Sequence, residues 1–321
     1  MSISSVLFYR DFKVASGGHQ KVFDYFGHLA SEPGYRPVIS FSDSTKWNIT
    51  NPWYPNYRKL QVPFKPEKYD ALFLGGMDWM KYQSVGIDHS IPVINIIQHV
   101  RHGLPTQLLS KFLTQKAIRI CVSKEVENAI LDTELVNGPT FTIPNGIKAP
   151  TLDSVSRKVD VFISGLKRPV LALTLRKKLE EKGLSVDVEN TRILQKDFLD
   201  RISAARIALM LPGKTEGFYL PALEAMALAD IVVVPDCIGN RGFCVDIRSD
   251  PLNGNCFFPS QSTDDIVQAT FHAFGALADI SATTAIALNA KKTVFEHGLE
   301  REKAAFLEIL TKSEGLWQEI E

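Results

Sequence analysis

Short apolar runs alternate with stretches of helical periodicity along most of the chain. "SVLFY" (5–9) reads as a buried strand, and the loop after it ends in Gly17-Gly18. Val22, Phe23, Phe26, Leu29 and Ala30 then fall on one face of a helix. "PVISF" (37–41) is the next strand. "ALFLGG" (71–76), "PVINIIQ" (92–98) and "IRICVS" (118–123) are continuous apolar runs bounded by turn residues, the pattern of parallel strands covered on both faces. Ser123 suits the N-cap of a helix through about Leu131, and "TFTIPNG" (140–146) adds a short strand and a turn. The polar stretch "IKAPTLDSVSRK" (147–158) has no apolar period and marks a domain boundary.

The alternation then restarts. "VDVFISG" (159–165), "LSVDVE" (184–189), "RIALMLP" (206–212) and "DIVVVPD" (230–236) read as strands. Helical patterns cover 168–183 and 196–205, a loop and helix span 216–229, and helices fill the chain after "GNCFFP" (254–259). Strands alternating with helices predict parallel α/β sheets. Two such series predict two doubly wound, Rossmann-like domains, residues 1–150 and 151–321, the second including the C-terminal helices. Ligands of such sheets bind at the C-terminal ends of the strands, so a cleft between the domains is the expected site.

Residues 43–69 break the pattern. "KWNITNPWYPNYRKLQVPFKPEKY" holds four prolines and many aromatics. Trp47, Trp53, Tyr54 and Tyr57 offer flat faces on which a sugar could stack, and Arg58 and Lys59 could meet an acidic glycan or an anionic headgroup. The bland reading is a long loop that packs its aromatics onto its own domain.

Composition narrows the function classes. A chain of 321 residues with 45% hydrophobic content has the size and make-up of two soluble domains. Lys plus Arg equals Asp plus Glu at 36 each, so no broad basic footprint for nucleic acid is expected. No apolar run reaches the ~18–20 residues of a membrane span, and the N-terminus lacks the apolar core of a signal peptide. Cys121, Cys237, Cys244 and Cys256 include no Cys-x-x-Cys pair and read as buried free thiols of a reducing compartment. A cytoplasmic protein is expected, with peripheral contact at the inner face of a membrane left open. No His-Glu-x-x-His spacing occurs, and no metal site is expected.

The chemistry concentrates in "GKTEGFYLPALEAMA" (213–227). Pro221 suits the first position of a helix, and Leu223, Met226 and Ala227 form its buried stripe. Glu224 lies just inside the helix and Glu216 in the loop before it. A loop leading into a helix N-terminus offers unpaired amides to an anion. The same residues also suit a capped, half-buried helix with two solvated acids. Gly17-Gly18, between the first strand and first helix, allows close backbone approach or simply makes a tight turn. His99 ends a strand, with Arg101 and His102 after it. Lys167 and Arg168 follow the strand and glycine of "VFISGLKRP", as a diphosphate clamp or a solvated basic turn.

These residues resemble a known family. "EGFYLPALEAMA" is similar to the Glu-x7-Glu signature of glycosyltransferase family 4, EGFGLPxLEAMA, with Tyr219 where glycine is usual. "SGGHQKVFDYFGHLA" (16–30), "NIIQHV" (95–100), "AIRICVSKEV" (117–126), "TIPNGI" (142–147) and "LNGNCFFP" (252–259) resemble further family segments in the same order. The resemblance implies the GT-B fold, a nucleotide-diphosphate-sugar donor, a glycan or lipid-linked acceptor, and retention of anomeric configuration. It implies that Glu224 bonds the ribose hydroxyls and that Glu216 faces the donor sugar, with His99 near the reacting carbon. The amides of Gly217, Phe218, Tyr219 and Leu220 would meet sugar and diphosphate, and Gly17 and Gly18 would approach the diphosphate. Two segments depart from the family pattern. "GLKRP" compresses the basic residues into one pair, so either Lys167 or Arg168 takes the phosphate role. "PDCIGNRGFCVDIRSD" (235–250) has no family counterpart. Trp53, Tyr54 and Arg101 are the acceptor-side candidates.

Glycosyl transfer leaves negative charge on the departing diphosphate. The chain contains no Asp-x-Asp to hold a divalent metal there. A helix N-terminus and the Lys167/Arg168 cations are the expected substitutes, so neither metal nor cofactor is predicted. The alternatives are a nucleotide-sugar epimerase of similar shape and a non-catalytic nucleotide- or carbohydrate-binding protein.

Overall fold

A computed structural model describes residues 3–87, 90–150 and 156–320 of the chain. Residues 151–155 of the expected boundary stretch lie outside the described residues. The chain divides into two compact units, Met1–Asn145 with Leu299–Glu321, and Gly146–Gly298.

The first unit holds six parallel strands: β1 Ser5–Arg10, β2 Arg36–Phe41, β3 Ala71–Gly75, β4 Val93–Ile97, β5 Ile118–Cys121 and β6 Thr140–Thr142. Their order is β2-β1-β3-β4-β5-β6. The central strands are buried along their whole length, as continuous apolar runs require. The connecting helices are α1 Gly17–Ala30, α2 Asp78–Ser84, α3 Leu108–Lys111 and α4 Lys124–Leu131. Ser16 caps α1 by accepting the His19 N–H at 3.3 Å, and Ser123 caps α4 through Val126. Phe8 on β1 stacks on Phe73 of β3 at 4.6 Å and meets the edge of Phe26 from α1 at 5.3 Å.

The second unit begins with β7 Val159–Ser164, α5 Pro169–Glu180, β8 Val186–Glu189, α6 Gln195–Ser203 and β9 Ala205–Met210. It continues through α7 Leu220–Leu228, β10 Ile231–Val233, α8 Thr263–Ala276 and α9 Ile280–Glu296. Its four parallel strands are ordered β10-β9-β7-β8. Side chains alternate across this sheet. Phe162, Ala208 and Met210 pack among Ala222, Leu223 and Met226 of α7, while Val161, Ile163 and Leu209 pack with Leu175 of α5 and Ile266 of α8.

The last helix, α10 Leu299–Gln318, corrects the expected division. The pattern assigns all C-terminal helices to the second domain, but α10 belongs to the first unit. Phe306 meets the ring of Tyr25 at 4.8 Å. The buried Glu302 carboxylate pairs with Lys21 Nζ at 2.7 Å and His28 Nε2 at 2.8 Å, both on α1. A buried charge needs such partners, so α1 and α10 are matched to each other.

Residues 43–69 carry one regular element, a 3-10 turn at Pro66–Lys68. Trp53 and Tyr57 pack inward, while Tyr54 is exposed. Trp53 is completely buried, edge-on to Phe23 at 5.3 Å and Phe41 at 5.6 Å, and Tyr57 meets Phe26 at 5.1 Å. All four cysteines are buried and free of disulfides. Among the described residues no single helix is long and apolar enough to cross a membrane.

Candidate functional site

The ends of β7 and β9 organise the second unit's site. β9 runs through Leu211 and Pro212 into the loop carrying Glu216, and that loop feeds α7. Pro221 occupies the second position of α7, where its missing N–H leaves no gap in the helix ladder. The amides of Gly217, Phe218, Tyr219 and Leu220 take no acceptor among the described residues. These donors therefore remain available to a ligand, and the helix dipole adds to their pull on an anion.

β7 ends at Ser164 and turns through Gly165 into α5. A Cβ on Gly165 would lie 2.3 Å from that of Ala172, so only glycine lets the first turn of α5 close here. Lys167 and Arg168 then diverge. Lys167 Nζ pairs with the Glu216 carboxylate and lies 5.5 Å over the ring of Tyr219. Arg168 donates to the side-chain oxygen of Gln261, whose amide donates to the backbone carbonyl of Asp236. Of the two cations, Lys167 is the one joined to the signature loop.

Glu224 is half-buried and accepts a hydrogen bond from Gln195 Nε2, at the start of α6. Burial raises its pKa to about 7, and the Gln195 bond opposes the shift. Tyr219 is buried, and burial drives its pKa up. Gly239, in the 3-10 turn Ile238–Asn240, lies against the signature loop: a Cβ on it would come within 2.7 Å of the Glu216 carbonyl oxygen.

In the first unit, Gly17 and Gly18 open α1. The Gly18 carbonyl accepts from Gln98 Nε2 at 3.2 Å, just beyond β4. His99 follows, and its Nδ1 accepts the Arg101 N–H at 3.1 Å, which places the ring proton on Nε2. Arg101 itself is exposed, whereas His102 is buried with its pKa lowered to about 3, chiefly by burial. His102 is thus a neutral structural residue.

The same strand ends carry a network absent from the sequence reading. Arg10, at the end of β1, pairs with Asp78 Oδ2 at 2.7 Å and reaches His19 Nδ1 at 3.2 Å. Asp78 also accepts the Gly75 N–H at 2.9 Å. Burial raises the Asp78 pKa to about 6 against the pull of Arg10. Burial, then Arg10, lowers that of His19 to about 4. His19 is neutral near pH 7, with its proton on Nε2.

Among the acceptor-side candidates, Trp53 needs correction. Trp53 has no accessible ring face, because Phe23 and Phe41 close over it. Tyr54 remains on the surface. The ends of the 43–69 stretch instead join β1, β2 and α2 around a cavity of about 700 Å³. Its lining includes Tyr9, Ser40, Phe41, Asp43, Phe64 and Lys81. Tyr9 and Phe64 meet edge to face at 5.2 Å, and Lys81 Nζ lies 5.8 Å over Phe64.

No protein-family model matches the sequence. No curated protein matches it either. Solved structures do. Anabaena HepE in complex with UDP-glucose superposes with a TM-score of 0.70 at 13% identity, covering 96% of this chain and 99% of that one. Sucrose-phosphate synthase from Thermosynechococcus elongatus superposes at 0.66 and 14% identity, over 95% and 98% of the two chains. The N-terminal domain of Candida albicans trehalose-6-phosphate phosphatase also matches, at 0.61 and 7% identity over 97% of each chain. The chain has the GT-B fold of two parallel-sheet α/β domains. A fold shared by a sugar-phosphate synthase and a domain of a phosphatase leaves the chemistry to the site.

Proposed function

We propose that this protein is a glycosyltransferase, moving a sugar from a nucleotide-diphosphate sugar to a glycan or other acceptor. The observation that carries the reading is the loop–helix at 216–224. It presents four unpaired amides and two differently held carboxylates in one short segment, and the Lys167 ammonium pairs with the first of them. Those groups suit a diphosphate flanked by hydroxyl-rich rings. UDP-glucose bound to a chain of the same fold supports a nucleotide sugar as ligand.

On this reading the Glu224 carboxylate accepts from the ribose hydroxyls. The amides from Gly217 to Leu220 and the helix end meet the diphosphate and sugar, and Lys167 neutralises charge on the leaving group. The chain has no Asp-x-Asp, and these cationic and amide donors take over a metal's role, so turnover is metal-independent. By the likeness of 16–30 and 95–100 to the family, Gly17 and Gly18 would supply backbone to a diphosphate and His99 its Nε2 proton to the sugar. Retention of configuration is the outcome indicated by the likeness of 216–227 to the retaining family. The cavity bordered by Asp43, Phe64 and Lys81 is the acceptor candidate, combining aromatic faces with polar groups for hydroxyls.

The test is incubation with a panel of nucleotide sugars, with and without EDTA, following free nucleotide and anomeric configuration by NMR. Release of nucleoside diphosphate in EDTA, with an axial or equatorial linkage matching the donor, supports the reading. Epimerised donor, or binding without turnover, rejects it.

A further inference from the structure

Tyr219 stands where the resembling signature has glycine, so its role belongs to this chain. Its backbone is the N-cap of α7 and its side chain turns inward, 2% exposed. The ring lies 5.5 Å beneath Lys167 Nζ. Lys167 in turn pairs with Glu216, three residues before Tyr219. The Tyr219 ring, Lys167 and Glu216 thus form one connected set, with Lys167 just beyond the end of β7.

We propose that Tyr219 is a positioning residue of the donor site, fixing the Lys167 ammonium and the 216–219 loop in their ligand-binding arrangement before a ligand arrives. This rests on the glycosyltransferase reading of the same segment. The physical case is one of preorganisation. A lysine on a four-carbon stem loses much rotamer freedom when it is fixed on a ligand. An aromatic face under the ammonium restricts the stem beforehand and attracts the charge without neutralising it. Burial of the ring fixes where it lies. A glycine here would leave the lysine and loop to be ordered at binding, with weaker affinity.

Donor affinity is to be measured by calorimetry with UDP and UDP-glucose on the full chain and on Tyr219→Phe, Tyr219→Leu, Lys167→Met and the Tyr219→Leu/Lys167→Met double variant. Melting temperature is followed in parallel. Tyr219→Leu keeps an apolar side chain, though a smaller one, and removes the π face. It is expected to weaken UDP binding about two- to fivefold. Tyr219→Phe keeps the face and is expected to lie between the two. Tyr219→Leu is expected to add little once Lys167 is methionine, because the two residues act as one unit. Equal UDP affinity in wild type and Tyr219→Leu overturns the proposal. So does a Tyr219→Leu loss that persists undiminished beside Lys167→Met, or one that only tracks the melting temperature. If wild type binds no nucleotide while remaining folded, the parent reading fails instead.

Discussion

Gly239 lies so close to Phe218 that a Cβ built on it would stand 2.6 Å from the Phe218 amide nitrogen. The turn at 238–240 is therefore the floor under the 216–218 loop, and only glycine lets the backbones meet. Gly239→Ala must push that loop outward. Expected are a stability loss of about 1–3 kcal/mol from overpacking and a donor KM raised by more than the folded fraction explains. Denaturant unfolding alongside initial-rate kinetics separates the two. An alanine variant with wild-type donor KM would remove the loop from the site.

Glu224 predicts two opposite pH trends. Burial favours its protonated form, so the folded chain holds this proton up to about pH 7 while the unfolded chain releases it near its ordinary 4.5. Stability from this group is full below about 4.5 and is lost as pH rises through 7. Donor binding runs the other way, because the ionised carboxylate is the stronger acceptor for ribose hydroxyls. Affinity should rise from pH 6 to pH 8, and Glu224→Gln should flatten both curves. Calorimetry and thermal melts at the two pH values check this. An equally steep binding curve in Glu224→Gln would assign the dependence elsewhere.

The Lys21–Glu302 pair is an energetic hinge of the first unit. Both side chains are buried, and Glu302→Ala removes the carboxylate that Lys21 and His28 both meet, while the Lys21–Asp24 pair at 2.8 Å remains. Breaking a buried pair of this kind costs about 3–5 kcal/mol. Hydrogen exchange should show α10 opening first. A variant with unchanged stability would mean the contacts carry little of the unit's cohesion.

Trp53→Ala should destabilise by about 3–5 kcal/mol, the usual cost of deleting a large buried aromatic. No selective acceptor defect is expected, since the ring has no accessible face. A raised acceptor KM in a variant with normal melting temperature would contradict the packing role.

The strands and their parallel arrangement were legible because a buried strand must be apolar throughout. Ser123 and Pro221 also showed in sequence, since caps and first-turn prolines are local devices. The return of α10 was not legible. Its buried stripe fits any apolar surface, and the charges that select α1 lie 281 positions apart. Trp53 misled for a related reason: an aromatic among prolines and polar residues looks solvent-facing until Phe23 and Phe41 close over it. Glu216 and Glu224 stood out as candidates through their spacing, and Lys167 with Arg168 through their place after a strand and a glycine. Gln195, Gly239 and the Arg10–Asp78–His19 network did not, because each matters only through a partner that folding brings alongside.

The most direct test is nucleotide binding by wild type and Glu224→Ala. Wild type should bind UDP or another nucleoside diphosphate in EDTA. Glu224→Ala should lose on the order of 1.5–3 kcal/mol of that affinity while melting as a folded protein, as expected for a lost charged hydrogen bond. A folded wild type that binds no nucleoside diphosphate, or a Glu224→Ala variant that binds as tightly as wild type, would contradict the assignment of the 216–224 segment as the donor site.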